Sequence, residues 1–319
     1  MLALFAIVLS ISVIGATTTS AQDGRMSLAE RSKGHKLKVV NKCKFPVWME
    51  QQQISGAPRI VMIRRNKSHT YNIDSAGDAS TRIWAKTGCD RKGADKGQNC
   101  NVGQTIKPCP DGGCQPAIDS LLEATWACVG PGCDVKSAKT FYDTSQVDGY
   151  TYPFKIKAKG SVPNNACLNV NCAASSVSTC PTDEDLSSDG AFPEYAHEDL
   201  RYKSIKTGEF VGCMSPCEKM TAGTVDGGYA FRASDPQAIL YCCPSFNDKP
   251  AKTKKVRDAC LAGPVPDTEY VNNVHTYCGS RAYAWAYDDV NGNHACQGIT
   301  TLVMKLCPKF KKKPTPADL

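Results

Sequence analysis

The chain has no pair of cysteines separated by two residues, although it contains 18 cysteines. Its five histidines also lie far apart in the sequence: His35, His69, His197, His275 and His294. Structural zinc sites draw on closely spaced cysteine and histidine ligands, so we expect no metal site and no cofactor. His197 and Glu198 lack the second histidine of a zinc-protease helix, and we interpret them as solvated loop.

Charged residues are absent from residues 1–21, which open with an almost wholly apolar run as far as Ala16. The run is too short to span a bilayer, and small residues follow it up to Ala21. We therefore predict a signal peptide at 1–21, cleaved near Gln22; a buried N-terminal strand is the alternative. No second apolar run of that length follows. We expect a secreted protein, extracellular or associated with a cell wall, without stable membrane insertion.

The formal net charge of the chain is +7, from 38 Lys and Arg against 31 Asp and Glu. The excess lies in three segments: Arg25–Lys44, Lys252–Arg257 and Lys309–Lys313. A dispersed excess favours anionic surfaces only weakly, and solvated surface is the alternative. An exported chain without a recognition motif is not expected to bind nucleic acid. We also expect a monomer.

Short stretches rich in β-branched and aromatic residues recur at intervals of roughly ten residues, a pattern typical of an all-β sandwich or barrel. They are Leu37–Asn41, Phe45–Met49, Arg59–Ile63, Thr70–Ile73 and Arg82–Lys86. Tyr150–Ala158 and Thr300–Leu306 add strands, and the latter alternates too little to be half exposed, which predicts a central strand. Leu121, Leu122 and Glu123 are interpreted as part of a helical turn within Ile118–Cys128.

The predicted organisation is a flexible lead-in at 22–36, one domain at 37–308 and a basic, disordered tail at 309–319. Within the domain, 88–123 is predicted to be a small disulfide-held loop module. Residues 167–278 form a cysteine-rich subdomain with an acidic, polar insertion at 181–212. An even number of cysteines in an exported chain is typical of a disulfide framework. Cys242 and Cys243 are adjacent, so each needs a different partner.

Three segments, Arg82–Cys89, Phe141–Tyr150 and Ala282–Asp289, closely resemble the thaumatin-like (pathogenesis-related class 5) family, and they occur in the family's order. The two ends, Val39–Trp48 and Leu306–Pro308, are similar to those of the family. The resemblance covers nearly the whole predicted mature chain. It implies a mainly β fold, a flattened β-sandwich core with disulfide-rich loop subdomains.

The family's pairing order implies eight disulfides: Cys43–Cys307, Cys89–Cys100, Cys109–Cys114, Cys167–Cys296, Cys172–Cys278, Cys180–Cys213, Cys217–Cys242 and Cys243–Cys260. Two cysteines remain. Cys128 and Cys133 flank a Val-Gly-Pro-Gly turn that can bring their sulfurs together, so we expect a ninth, local disulfide.

The resemblance also implies an acidic cleft lined by Arg82, Glu123, Asp143, Asp148 and Asp288. An extra residue after Cys278 leaves both Asp288 and Asp289 open for the last position. Two loop regions that flank the cleft in the family depart from its pattern, at Cys100–Cys109 and at 181–212, which affects ligand choice. An ordinary surface network, with Arg82 paired to Asp143 or Asp148, is the alternative to a binding site.

Three functions follow from such a cleft. The first is binding of β-1,3-glucan or a related wall polysaccharide by the carboxylates and nearby aromatic rings, with antifungal defence as the family's context. The candidate rings are Trp126, Tyr142, Tyr150, Trp285 and Tyr287, of which Trp126, like Trp84, fits a core position better. The second is weak endo-β-1,3-glucanase activity, with Glu123 as the acid and Asp288 opposite. The third is a protein- or membrane-directed defence role.

Chemistry favours binding over turnover, because Arg82 is expected to keep neighbouring carboxylates ionised while a general acid must hold its proton.

Asn66-Lys-Ser is the only N-glycosylation sequon, on a predicted turn between strands.

Overall fold

The computed structural model describes residues 34–93, 96–104, 118, 120–163, 167–243 and 258–309. The predicted signal peptide, the expected Cys109–Cys114 pair and nearly all of the basic tail lie outside these residues. The fold is mainly β, with three sheets and short helices between them. No helix in these ranges has the length and apolar character needed to cross a membrane.

The first sheet has five strands: β1 (Lys36–Asn41), β4 (Ser68–Asn72), β9 (Phe154–Lys159), β10 (Val170–Cys172) and β14 (Thr301–Leu306). Their spatial order is β10-β9-β14-β1-β4. The β1 and β14 strands pair in parallel, and the other pairs are antiparallel. The first strand, β1, and the last strand, β14, therefore lie side by side within this sheet.

The second sheet has six strands: β2 (Val47–Gln52), β3 (Ile60–Ile63), β5 (Thr81–Lys86), β6 (Leu121–Thr125), β7 (Lys139–Ser145) and β13 (His294–Gln297). Their order is β13-β7-β6-β5-β2-β3, all antiparallel. A smaller third sheet has three strands: β8 (Gly149–Tyr150), β11 (Arg201–Lys203) and β12 (Phe210–Met214).

The core lies between the five- and six-stranded sheets, because every second residue of each strand points inward. Val39 and Ile156 on one sheet and Met49, Ile83 and Leu122 on the other belong to one cluster of buried side chains. Their opposite faces carry most of the polar and charged residues, among them the candidate site residues.

Strand β14 is central, as predicted, but its outer face is not covered. Leu302, Met304 and Leu306 are buried, whereas Thr301, Val303 and Lys305 are half-buried. A strand can have neighbours on both sides in the hydrogen-bonding direction and still have one open face. The prediction of burial on both faces was therefore wrong.

Two other local expectations fail. Leu121, Leu122 and Glu123 form part of strand β6 rather than a helical turn, because β6 pairs with β5 on one side and β7 on the other. The predicted lead-in also ends earlier than expected. His35 is fully buried, and its Nδ1 accepts a hydrogen bond from the Thr300 backbone N–H at 2.8 Å.

Four helices are fully described: α1 (Pro216–Thr221), α2 (Ile239–Cys242), α3 (Glu269–Cys278) and α4 (Asp289–Gly292). The insertion at 181–212 packs onto α3, because both carboxylate oxygens of Glu184 accept backbone N–H groups at its first turn, from Glu269 at 2.9 Å and Tyr270 at 2.7 Å. Leu186 and Leu200 of the insertion are fully buried in the main core. The insertion is therefore not only polar surface.

The described residues contain the disulfides that the resemblance implied, apart from Cys109–Cys114, and also the local pair Cys128–Cys133. Cys242 and Cys243 have separate partners, Cys217 and Cys260. No cysteine in the described ranges has a free thiol. Asn66 of the sequon is exposed, in the turn between β3 and β4, and has a positive φ of 60°.

Candidate functional site

A groove on the outer face of the six-stranded sheet is lined by Arg82, Glu123 and Asp143 among others, and we call it the acidic groove. Three of its residues occupy matching positions on neighbouring strands: Arg82 of β5 is opposite Glu123 of β6, which is opposite Asp143 of β7. Directly opposed residues of antiparallel strands point to the same face, with their Cβ atoms about 5 Å apart. The β-pairing therefore brings together three residues that are far apart in sequence.

Arg82 and Glu123 form an ion pair. The Arg82 Nε donates to Glu123 Oε1 at 2.5 Å, and both side chains are partly exposed, by 37 % and 25 %. Partial exposure weakens the contribution of such a pair to stability, because water screens the charges. The pair therefore matters more for fixing the carboxylate in place than for holding the sheet together.

Asp143 has a strongly raised pKa, in contrast to the expectation that Arg82 keeps its neighbours ionised. Burial raises the pKa of this carboxyl to about 8, the negative charge of Glu123 adds to the rise, and Arg82 opposes it. Its Oδ1 atom is buried without a hydrogen-bond partner. Burial outweighs the arginine, so Asp143 holds a proton at neutral pH.

Asp148, in the turn between β7 and β8, belongs to the same electrostatic cluster. Burial raises its pKa to about 6, Glu123 contributes in the same direction and Arg82 in the opposite one. Its backbone carbonyl accepts from the Ser215 N–H at 3.3 Å, which links this turn to the start of α1.

Glu218 of α1 extends the cluster, and sequence reasoning missed it. Burial raises its pKa to about 8, with further contributions from the charges of Asp148 and Asp226. The only sequence signal is the Ser-x-x-Glu spacing from Ser215, which indicates a helix start rather than a site. The cap itself is present, since Ser215 Oγ accepts from the Glu218 N–H at 3.1 Å.

Asp288 lies elsewhere, in the buried turn between α3 and α4. Its Oδ2 contacts His275 Nε2 at 2.7 Å and accepts from the Ala284 N–H at 2.9 Å, while Oδ1 accepts from Asn291 Nδ2 at 2.7 Å. This carboxylate holds its own turn together and does not line the groove. The alternative, Asp289, accepts from the Tyr283 hydroxyl at 2.8 Å and does not line it either.

The aromatic rings expected to stack on sugar are mostly core residues. Trp126, Tyr142, Tyr150 and Trp285 are buried, and Tyr287 is half-buried. Phe141, two residues before Asp143 and on the same face of β7, is 46 % exposed instead. The period-two alternation of β7 was a signal for this, because Tyr142 and Asp143 cannot share a face.

The groove has a volume of about 370 Å³ and is lined by Gln52, Gln53, Ser80, Arg82, Glu123, Ala124, Thr125, Phe141 and Asp143. It combines amide and guanidinium donors, an ionised acceptor, a protonated carboxyl and one exposed ring. Such a lining suits a hydroxyl-rich neutral ligand better than a charged one. Within the described ranges, no cluster of His, Cys, Asp and Glu has the arrangement needed to hold a metal ion.

Comparison with known sequences gives three results. The family model described as the Thaumatin family matches residues 41–308. "Thaumatin-like protein 1" of Pyrus pyrifolia is 25 % identical over 86 % of this chain and 91 % of the relative. "Glucan endo-1,3-beta-glucosidase" of Prunus avium is 26 % identical over 84 % of this chain and 88 % of the relative.

Among solved structures, a laminaripentaose-producing beta-1,3-glucanase from Paenibacillus barengoltzii is 17 % identical, and the alignment covers 86 % of this chain and 75 % of that one. Its TM-score of 0.43 is too low to carry any argument about the groove.

Proposed function

The chain belongs to the thaumatin family, and from that premise we propose that it binds β-1,3-glucan in the acidic groove on the outer face of β5, β6 and β7. One observation carries the proposal. Arg82, Glu123 and Asp143 stand in register beside an exposed phenylalanine, in a groove large enough for a sugar ring.

The chemistry of the groove suits a neutral glucan. Glu123 accepts hydrogen bonds from sugar hydroxyls with the oxygen that Arg82 does not hold, and protonated Asp143 both donates and accepts. Phe141 offers a flat apolar surface to the C–H face of a sugar ring. Asp148 is not among the residues that line the groove, and its charge acts on Glu218 rather than on Asp143.

We propose that the chain acts outside the cell as a monomer, in antifungal defence or at a cell wall. The disulfides support an oxidising compartment, where such bonds form and persist. The relative from Prunus avium is named for endo-1,3-β-glucan chemistry, which supports this ligand class for the groove. Protein- or membrane-directed defence remains the competing role, and it does not require glucan binding.

A retention assay on insoluble β-1,3-glucan tests the binding. We expect Phe141→Ala to reduce retention severalfold, because the exposed ring beside the charged residues is lost. Phe45→Ala is the matched control, since Phe45 is 39 % exposed on another part of the surface and should leave retention unchanged. Equal losses in both variants, or no retention of the wild type, would contradict the proposal.

Hydrolysis is the second candidate, and the protonated state of Asp143 is the observation that favours it. Asp143 would donate its proton to the leaving glycosidic oxygen as the bond to the anomeric carbon breaks. Directly opposed carboxyl groups suit the retaining route, so Glu123 would attack the anomeric carbon and form a glycosyl-enzyme. Water would then release the sugar from Glu123 and pass its proton to Asp143. This assignment replaces Glu123 as the acid and Asp288 as its partner, because Arg82 binds Glu123 and Asp288 lies outside the groove.

A reducing-sugar assay on the same samples separates turnover from binding. If the chain hydrolyses glucan, Asp143→Asn removes the donated proton and should lower the rate by roughly two to four orders of magnitude while glucan retention persists. Sugar release that survives Asp143→Asn but disappears in Glu123→Gln would restore Glu123 as the acid. No release by the wild type leaves binding as the function.

A further inference from the structure

A second charged surface lies on the outer face of the five-stranded sheet, on the opposite side of the sandwich from the acidic groove. Three neighbouring strands present lysines there: β1 carries Lys36 and Lys38, β14 carries Lys305, and β9 carries Lys155, Lys157 and Lys159. All six alternate with residues that are buried in the core or, at Ala158, packed against it, so they share one face. We call this surface the lysine face.

The strand register arranges these lysines in rows. Lys36, Thr301 and Lys159 are aligned across β1, β14 and β9, and the next rows are Lys38, Val303, Lys157 and then Val40, Lys305, Lys155. Strands are spaced by about 4.8 Å and same-face residues along a strand by about 6.7 Å. The result is a grid of positive charge rather than the dispersed excess that the linear sequence indicates.

Within the described strands of this sheet, no negative charge lies in the grid. The outward positions of the five strands hold no Asp or Glu. Among the described residues, none of the six lysines forms a salt bridge with a carboxylate. Like charges on one face repel each other and lower stability, whereas a polyanion bound across them would relieve that repulsion.

The residues on the strands that flank the lysines indicate which polyanion fits. The remaining outward side chains on the edge strands are hydroxyls and amides, namely Ser68, Thr70, Asn72 and Asn171. These groups bond well to sugar hydroxyls. No exposed large apolar side chain of the described residues lies on this face, so none of them there would insert into a lipid bilayer. At the β4 edge, Lys36, Thr70 and Asn72 continue into a groove of about 550 Å³, whose lining also includes Asp74.

We infer that the lysine face binds a carboxylated polysaccharide, a chain of uronic acid residues, whose carboxylates pair with the lysines and whose hydroxyls bond to the polar side chains on the flanking strands β4 and β10. This site is separate from the acidic groove and does not depend on glucan binding. A chain that binds a neutral glucan on one side and an acidic polysaccharide on the other would link the two polymers.

Binding of the full chain to sodium polygalacturonate, measured at low and high salt, tests this inference. We expect binding at low salt that weakens steeply as salt rises, because ion pairs at an exposed surface are screened. The triple variant K155Q/K157Q/K159Q should bind roughly tenfold more weakly or worse, since each lost lysine removes a counterion-releasing contact. Thermal unfolding checks that the variant is folded.

The matched control is K92Q/K96Q/K136Q, which removes three exposed lysines elsewhere and should keep wild-type affinity. Fully methyl-esterified polygalacturonate, whose carboxyl charge is blocked, should not bind. Equal losses in both triple variants would mean that net charge alone drives binding and would overturn the inference. So would wild-type binding to the esterified polymer, or binding only to phosphatidylserine vesicles.

Discussion

Burial raises the pKa of the Asp143 carboxyl to about 8, the negative charge of Glu123 adds to the rise, and Arg82 offsets only part of it. A carboxyl whose pKa is raised on folding binds more protons in the folded than in the unfolded state. Its stabilising contribution is therefore fully present below the unfolded pKa, near 4, and is lost as the pH rises through about 8. Glu218 follows the same rule, with its pKa also raised to about 8.

We therefore expect Asp143→Asn to raise the free energy of unfolding at pH 8 by about 1 kcal/mol or more, because the amide removes a charge that burial disfavours. The gain should shrink toward pH 4, where the wild-type carboxyl is protonated. Denaturant unfolding at the two pH values measures it. Asp74→Asn, at an exposed turn, is the control and should show no such pH-dependent gain. A loss of stability at pH 8 would contradict the pKa assignment.

At the scale of single elements, the insertion at 181–212 is joined to helix α3 through Glu184. This side chain is buried and accepts two backbone N–H groups that the first turn of a helix otherwise leaves unpaired. The insertion therefore acts as a cap for α3 supplied from a distant part of the chain.

Glu184→Ala should lower the free energy of unfolding by roughly 1–3 kcal/mol, since it leaves two helix donors unpaired in a buried place. Chemical denaturation of the variant measures the loss. Glu194→Ala, at an exposed position of the same insertion, should be neutral. If both variants were equally stable, the contact between insertion and helix would contribute nothing.

Seven strand segments, those of β1 to β5, β9 and β14, could be predicted from composition, and the resemblance implied that Arg82, Glu123 and Asp143 share a cleft. Their alignment on three neighbouring strands was not predicted, because Glu123 was placed in a helical turn. The failures have physical causes. Leu121 and Leu122 are adjacent apolar residues, which suit a helix or a strand equally, and only pairing with β5 and β7 decides between them. The protonation of Asp143 depends on burial, which no spacing in the sequence reports.

Over the whole molecule, disulfides connect segments that are distant in the chain. Cys43–Cys307 joins the end of β1 to the end of β14 across 264 residues, whereas Cys128–Cys133 closes a loop of five. A crosslink over a longer loop restricts the unfolded chain more, although the other disulfides shorten the effective loop.

Replacing both Cys43 and Cys307 by serine should therefore lower the free energy of unfolding by about 3–5 kcal/mol. Replacing Cys128 and Cys133 should lower it less, by about 2 kcal/mol or under, which makes the second pair a matched control. Equilibrium denaturation of both double variants under oxidising conditions gives the comparison. A larger loss for the short loop would reverse the expected order.

The central claim is that the acidic groove binds β-1,3-glucan, and the affinity for soluble laminarin as a function of pH tests it most directly. Calorimetry between pH 6 and pH 9 should show wild-type binding that weakens as the pH rises through about 8, where Asp143 loses its proton. Asp143→Asn should bind with little pH dependence, while Glu218→Gln, outside the groove, should keep the wild-type profile. No laminarin binding, or the same pH profile in wild type and Asp143→Asn, would contradict the account.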